Sequence, residues 1–189
     1  MQSNLKLGGI WEVECWSPSR LERVVNTFLP RKHHRRSVLK WTERVHNIVT
    51  DEGLDSVLDV YLHAATQITT WYCCMSESDT AAAANLTYAV PGYTETEAYD
   101  EATRPAYNEA ASSSQSITNS ANKAVFTMNA TKTLYGASLV GGGTDGNTKG
   151  DAAGGGTLFC YSKFGSSRGV VDDDVVNLSY TVGAADDAV

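Results

Sequence analysis

Hydrophobic and polar residues alternate with a period of two through most of this chain, and the places where the period lengthens mark its few helices. Between Leu39 and Val49, Leu39, Trp41, Val45 and Val49 share one parity, with Lys40, Thr42, Arg44 and His46 on the other. This pattern predicts a half-buried strand. Thr50 then stands where a helix N-cap belongs, followed by Asp51 and Glu52, which favour the positive end of a helix dipole. Leu54, Val57, Leu58, Tyr61 and Leu62 recur at helical spacing, predicting a short helix with one apolar face, packed across one end or edge of a sheet. The run Ile68 to Met75, ITTWYCCM, is β-branched and aromatic and reads as a central strand.

The rest of the chain extends the same pattern. Trp11, Val13 and Cys15 alternate with Ile10, Glu12 and Glu14, predicting an opening strand whose natural partner is the strand from Leu39. Between them lies an insertion. Ser19 and Glu22 have capping-box spacing, and Leu21, Val24, Val25, Phe28 and Leu29 repeat at helical intervals before Pro30, so a short amphipathic helix is expected there. Further on, Ala124, Phe126 and Met128 form one face of a strand that leads through a short connection into Thr133–Val140, a pair read as a hairpin. Gly141 to Gly156 reads as a glycine-rich hairpin loop, Thr157–Phe164 as a strand, and Val175–Val182 as the last, with Val176, Leu178, Tyr180 and Val182 on one face.

About seven strands and one or two short helices, with turn signals at regular spacing, define a mainly β chain, an antiparallel β-sandwich. The expected organisation is an N-terminal arm and first strand over residues 1–16, a basic helical insertion over 17–38, the sandwich over 39–183 and a tail over 184–189.

Charge adds an asymmetry. Residues 1–50 hold nine Lys/Arg against four Asp/Glu, a net of +5, while residues 51–189 hold six against 18, a net of −12. The basic part is therefore local, and the acidic bulk argues against a general nucleic-acid binder. Its centre is Arg31-Lys32-His33-His34-Arg35-Arg36, which has no interleaved aromatic residues for base stacking and reads as an exposed loop or a contact with an acidic neighbour. The chain has no long apolar run and no signal-peptide pattern at its start, so a soluble protein made in the cytoplasm is expected.

Candidate chemistry is sparse. Cys15, Cys73, Cys74 and Cys160 include no C-x-x-C pair, and Cys73 and Cys74, adjacent on a strand, point to opposite faces. The glycine-rich stretch lacks the GK[ST] of a phosphate loop. Asp172-Asp173-Asp174 reads as a solvated turn rather than a calcium loop. Tyr88, Tyr93, Tyr99 and Tyr107 punctuate a long polar loop after Met75, where tyrosine serves either an interface or the edge of the domain's own core. No hydrolase or metalloprotease motif is present, and no enzyme, cofactor or metal is expected.

Several segments in order, KWTERVHNIVTDEGLDSVLDVYL, QITTWY, YTETEAYDEATRPAY, SITNSANKAVFTMNATKTLYGASLV and SSRGVVDDDVVNLSYTV, resemble a group of small virion structural proteins of tailed bacteriophages. The resemblance spans Leu39 to Val182. It departs from the group at the insertion, where the group runs a short hairpin, and at Asp172–Asp174, where a Gly-Asp turn is usual.

The resemblance implies a non-enzymatic capsid decoration protein of the cement or head-fibre type, bound to the major capsid protein on the exterior of the virion as a homo-oligomer. It would contact neither membrane nor nucleic acid. In that reading Arg31, Lys32, Arg35 and Arg36 face the capsid, together with the arm Met1 to Gly9, and Tyr88, Tyr93, Tyr99 and Tyr107 serve subunit contact. The alternative is a tail or fibre module for host glycans, with a shallow site built from the Gly141–Gly156 loop, Tyr135 and the Asp172–Asp174 turn.

Overall fold

Two antiparallel sheets face one another across a shared apolar interior in a computed structural model that describes residues 5–18, 37–150 and 152–186. Its strands are β1 (Leu5–Pro18), β2 (Ser37–His46), β3 (Ile48–Val49), β4 (Trp71–Ser76), β5 (Ser116–Thr118), β6 (Ala124–Thr127), β7 (Lys132–Gly142), β8 (Gly156–Val170) and β9 (Val175–Asp186), with one helix, α1 (Asp51–Leu62), after β3. The first sheet runs β2-β1-β9-β5, and β6 pairs with the same edge of β9 as β5; the second runs β3-β8-β7-β4. This is the antiparallel β-sandwich that the alternation predicts.

Strand parity decides what fills the interior. Trp11, Val13 and Cys15 of β1 face Val176, Leu178 and Tyr180 of β9, and Phe126 and Met128 lie beside them, all essentially without exposure. Trp11 stacks on Tyr180 at 4.4 Å between ring centroids. Each such aromatic contributes about 1.5–3 kcal/mol by leaving water. Cys73 joins this interior while Cys74 enters a second cluster on the outer face of the β4–β7–β8 sheet with Tyr88, Val140 and Leu158. The two thiols therefore diverge as adjacent strand residues must.

Several local expectations change. The strand read from Leu39 to Val49 divides at Asn47: β2 pairs with β1 and β3 with β8, in different sheets. Asn47 holds that corner by donating its backbone N–H to Gly9 O at 3.1 Å and its side-chain amide to the Tyr180 hydroxyl at 2.8 Å. The Ile68–Met75 strand starts at Trp71 and is an edge rather than central. The long loop after it covers that edge, with Cys73 N–H donating to Pro105 O, Thr96 N–H to Met75 O, and Tyr107 N–H to Trp71 O. Such cover shields open ladder groups.

The expected hairpin between Ala124–Asn129 and Thr133–Val140 does not form. β6 pairs with β9 and β7 with β8, so the connection steps between sheets. β8 itself continues past Phe164 to Val170. The residues Leu5 to Gly9, expected in an arm, are strand, because β9 extends to Asp186 and pairs with them. The predicted helix from Ser19 and the basic run Arg31–Arg36 lie outside the described residues.

Candidate functional site

The insertion has a defined root. Pro18 and Ser37 are register partners at the end of the β1–β2 pair, so residues 19–36 leave and return at one point. Beneath it sits Asp174, read from the sequence as part of a solvated turn and in fact wholly buried. Its carboxylate accepts from Ser17 Oγ at 2.5 Å, from Lys40 Nζ at 2.7 Å and from the Val171 N–H at 2.9 Å. β1, β2 and the β8–β9 turn are thereby tied together. Burial alone would raise the Asp174 pKa, but the hydrogen bonds from Lys40, Ser17 and Val171 outweigh it and hold the group below its ordinary value. One signal for this was present: Asp174 shares the inward parity of Val176, Leu178 and Tyr180. Asp172 and Asp173 remain exposed at the turn, with Asp173 at a φ of 68°.

At the opposite end of β8, in the second sheet, α1 is docked through its first turn. Thr50 caps it, its hydroxyl accepting from Gly53 N–H at 3.0 Å while its own N–H donates to Phe159 O at 3.0 Å. The Glu52 carboxylate accepts from the backbone N–H groups of Leu158 (2.6 Å) and Tyr88 (2.8 Å). Gly53 lies so close to β8 that a Cβ there would stand 2.4 Å from Phe159 O.

These three anchors set the rotation of the helix. Gly53, Ser56, Val57 and Val60 turn inward, and the stripe Leu54, Leu58, Tyr61 and Leu62 turns outward, with 37%, 50%, 87% and 77% exposure. An apolar helix stripe ordinarily faces the core; here most of it faces water. Asp51, Asp55 and Asp59 run alongside it, one turn apart, and line a groove of about 680 Å³ shared with Leu86, Gly143 and Thr157.

The second cluster takes in Tyr88 and Tyr93, and the main core takes in Tyr99 and Tyr107. Arg104, 3% exposed, forms a bidentate pair with Glu95 at 2.6–3.2 Å and donates to the Tyr88 hydroxyl at 3.0 Å and to Gly146 O at 2.9 Å. The glycine-rich loop is thus clamped to the loop after β4. Tyr88, Tyr99 and Tyr107 are 3%, 1% and 5% exposed within this one chain, which corrects their assignment to a subunit interface: their rings already cover the domain's own core. Tyr107 donates its hydroxyl to Tyr180 O, and Tyr99 meets Phe126 edge-on. Tyr93, half-buried, stacks on Tyr161 at 4.6 Å and hydrogen-bonds Ser138.

The shallow glycan site does not assemble. The Gly141–Gly156 loop and the Asp172–Asp174 turn lie at opposite ends of β8, a strand of 15 residues that spans about 45 Å. Tyr135 lies near the start of β7, at the Asp172–Asp174 end and far from the glycine-rich loop, and Asp174 is already engaged. Arg31, Lys32, Arg35 and Arg36 are outside the described residues, and only their root is on view.

The thiols are withdrawn from solvent. All four cysteines are buried and unbridged. Burial pushes the Cys160 thiol up to about 12 against the donors of Tyr180, Asn47 and Trp11 around it, and burial together with Asp174 does the same for Cys15. Among the described residues no three His, Cys, Asp or Glu side chains are grouped to hold a metal, and no helix is long and apolar enough to cross a membrane.

Fold and site together define an antiparallel β-sandwich with the root of the insertion, Pro18 and Ser37, at one end and an outward apolar helix face at the other. No protein-family profile and no curated protein matches this chain.

Proposed function

We propose that this chain is a non-enzymatic structural protein of a bacteriophage virion, which decorates the outer surface of the capsid and stabilises it. The observation that carries this reading is the charge and rooting of the insertion. Residues 19–36 hold six Lys/Arg against one Glu, a net of +5, while the remainder of the chain holds nine against 21. That loop springs from a register pair braced by the buried Asp174 carboxylate. A cationic insertion on an acidic body suits attachment to an acidic protein surface, because steering and orientation then come from one part of the chain.

The ordered segments from Leu39 to Val182 that resemble phage virion proteins point the same way. Arg31, Lys32, Arg35 and Arg36 are the residues assigned to the major capsid protein, and many copies on one shell would add weak contacts into firm attachment.

Quantitative mass spectrometry of intact particles is the test. A simple stoichiometric ratio to the major shell protein supports decoration, and a few copies per particle, or none, refutes it. Within a particle that carries the chain, Arg35→Glu with Arg36→Glu lowers occupancy; unchanged occupancy would remove these residues from the capsid contact.

A further inference from the structure

We infer that the outward face of α1 is a docking surface for a second copy of this chain, and that its occupant is the Leu21–Leu29 stretch of the neighbour's insertion. The face is unusual in composition and placement. Leu54, Leu58, Tyr61 and Leu62 form a stripe in water, and Asp51, Asp55 and Asp59 form an acidic stripe along one flank. A cavity of about 320 Å³ opens beside Tyr61, walled by Val57, Trp71, Ile117 and Val182. The surface therefore asks for a segment with an apolar stripe, a cationic flank and one bulky apolar side chain.

Such a segment exists in the sequence. Leu21, Val24, Val25, Phe28 and Leu29 recur at helical spacing, and at that spacing Arg20 and Arg23 fall together on one flank. Phe28 is the only aromatic residue among residues 19–36 and suits the cavity. Acidic flank meets basic flank, and apolar stripe meets apolar stripe.

Chain geometry makes the contact intermolecular. Residues 19–36 start and finish at one register pair, so the loop reaches at most about 30 Å even when fully stretched, half of its contour length. The cavity beneath α1 is walled by Val182, which pairs with Gly9, nine residues along β1 from Pro18. That separation is itself about 30 Å. A stretched tip could touch the helix of its own chain, but the Leu21–Leu29 stretch could not lie along it. A neighbour's can. The resulting contact joins two different surfaces, so it is head-to-tail, and it closes into a ring or runs on as a chain of copies.

Sedimentation of the full chain over a concentration series tests this without any particle. Reversible self-association is expected, and Leu58→Glu with Tyr61→Glu weakens it at least about tenfold, as does Arg20→Glu with Arg23→Glu. Circular dichroism and the unfolding midpoint confirm that the exposed substitutions leave the fold intact. Asp55→Lys with Asp59→Lys also weakens association, and adding Arg20→Glu and Arg23→Glu to the same chain restores it.

The decisive arm mixes two weakened variants, one altered only on α1 and one altered only at Arg20 and Arg23. Each retains the surface that the other lacks, so a one-to-one complex forms on mixing. A chain that is monomeric at every concentration overturns the inference. So does association that ignores both sets of changes, or failure of the mixed pair to form, since the α1 face would then contact something other than the neighbour's segment.

Discussion

Lys40 Nζ lies 2.7 Å from Asp174 Oδ2, joining β2 to the turn between β8 and β9 across a separation of 134 residues in the chain. Asp174 is fully buried while Lys40 remains one-third exposed, so the pair sits at the boundary of the core. The same carboxylate also takes Ser17 and the Val171 N–H, and together these bonds hold the base of the basic loop.

Replacing this carboxylate shows how much it holds. Asp174→Asn leaves Lys40, Ser17 and Val171 competing for a weaker acceptor and is expected to destabilise the chain by about 2 kcal/mol, a figure discounted for the partial exposure of Lys40. In a domain of this size that lowers the midpoint by about 4–8 °C, read by thermal unfolding. The pH dependence follows from the direction of the shift. A carboxyl held below its unfolded value of about 3.9 contributes stability that is complete above that value and is lost as pH falls through the lower folded value. The variant's acid limb is accordingly shallower than that of the parent.

Arg104 and Glu95 form a buried pair at 2.6 Å. Arg104→Met strands the Glu95 carboxylate in the outer cluster and releases Gly146 O, with an expected cost of about 3–5 kcal/mol in denaturant unfolding. Hydrogen exchange should quicken most in the glycine-rich loop that Arg104 clamps, and uniform exchange across the chain would count against that role.

Gly53→Ala separates packing from helix propensity. Propensity alone favours alanine by about 1 kcal/mol. The added Cβ, however, would meet Phe159 O at 2.4 Å and push α1 off β8, so a net loss of about 1–3 kcal/mol is expected. A stabilised variant would show that the helix floats free of the sheet.

The thiols should report unfolding rather than chemistry. Burial raises Cys15 and Cys160 to about 12, and raises Cys73 and Cys74 further, so none is a thiolate at neutral pH. A thiol reagent at about pH 8 should therefore label native protein only at the rate of opening, and label all four sites in denaturant.

Much of the fold was readable because strand parity is a local property. Trp11-Val13-Cys15, Ala124-Phe126-Met128 and Val176-Leu178-Tyr180 name their own inward faces, and those faces are buried. Asp174 belongs to the last of these parities, yet its flanking aspartates and turn chemistry made it look solvated. Its partners Ser17 and Lys40 are distant in sequence, so parity was the one local sign of a buried acceptor. The α1 stripe was legible as apolar but not as outward. Its rotation depends on Gly53 meeting the Phe159 backbone and on Glu52 capping the Leu158 N–H, contacts made with residues more than a hundred positions away.

By itself, then, the sequence determined the mainly β class, the helix after Thr50, the alternating interior of the strands, the divergence of Cys73 and Cys74, and the concentration of positive charge in one insertion. These depend on neighbours within a few residues, where periodicity and side-chain chemistry act directly. Only the tertiary structure decided which strands share a sheet, that the chain turns a corner at Asn47, that the tyrosines of the long loop close the chain's own core, and that one helix presents its leucines to water. Each of those outcomes turns on a backbone group or carboxylate that can be satisfied only by a strand brought in from far along the chain.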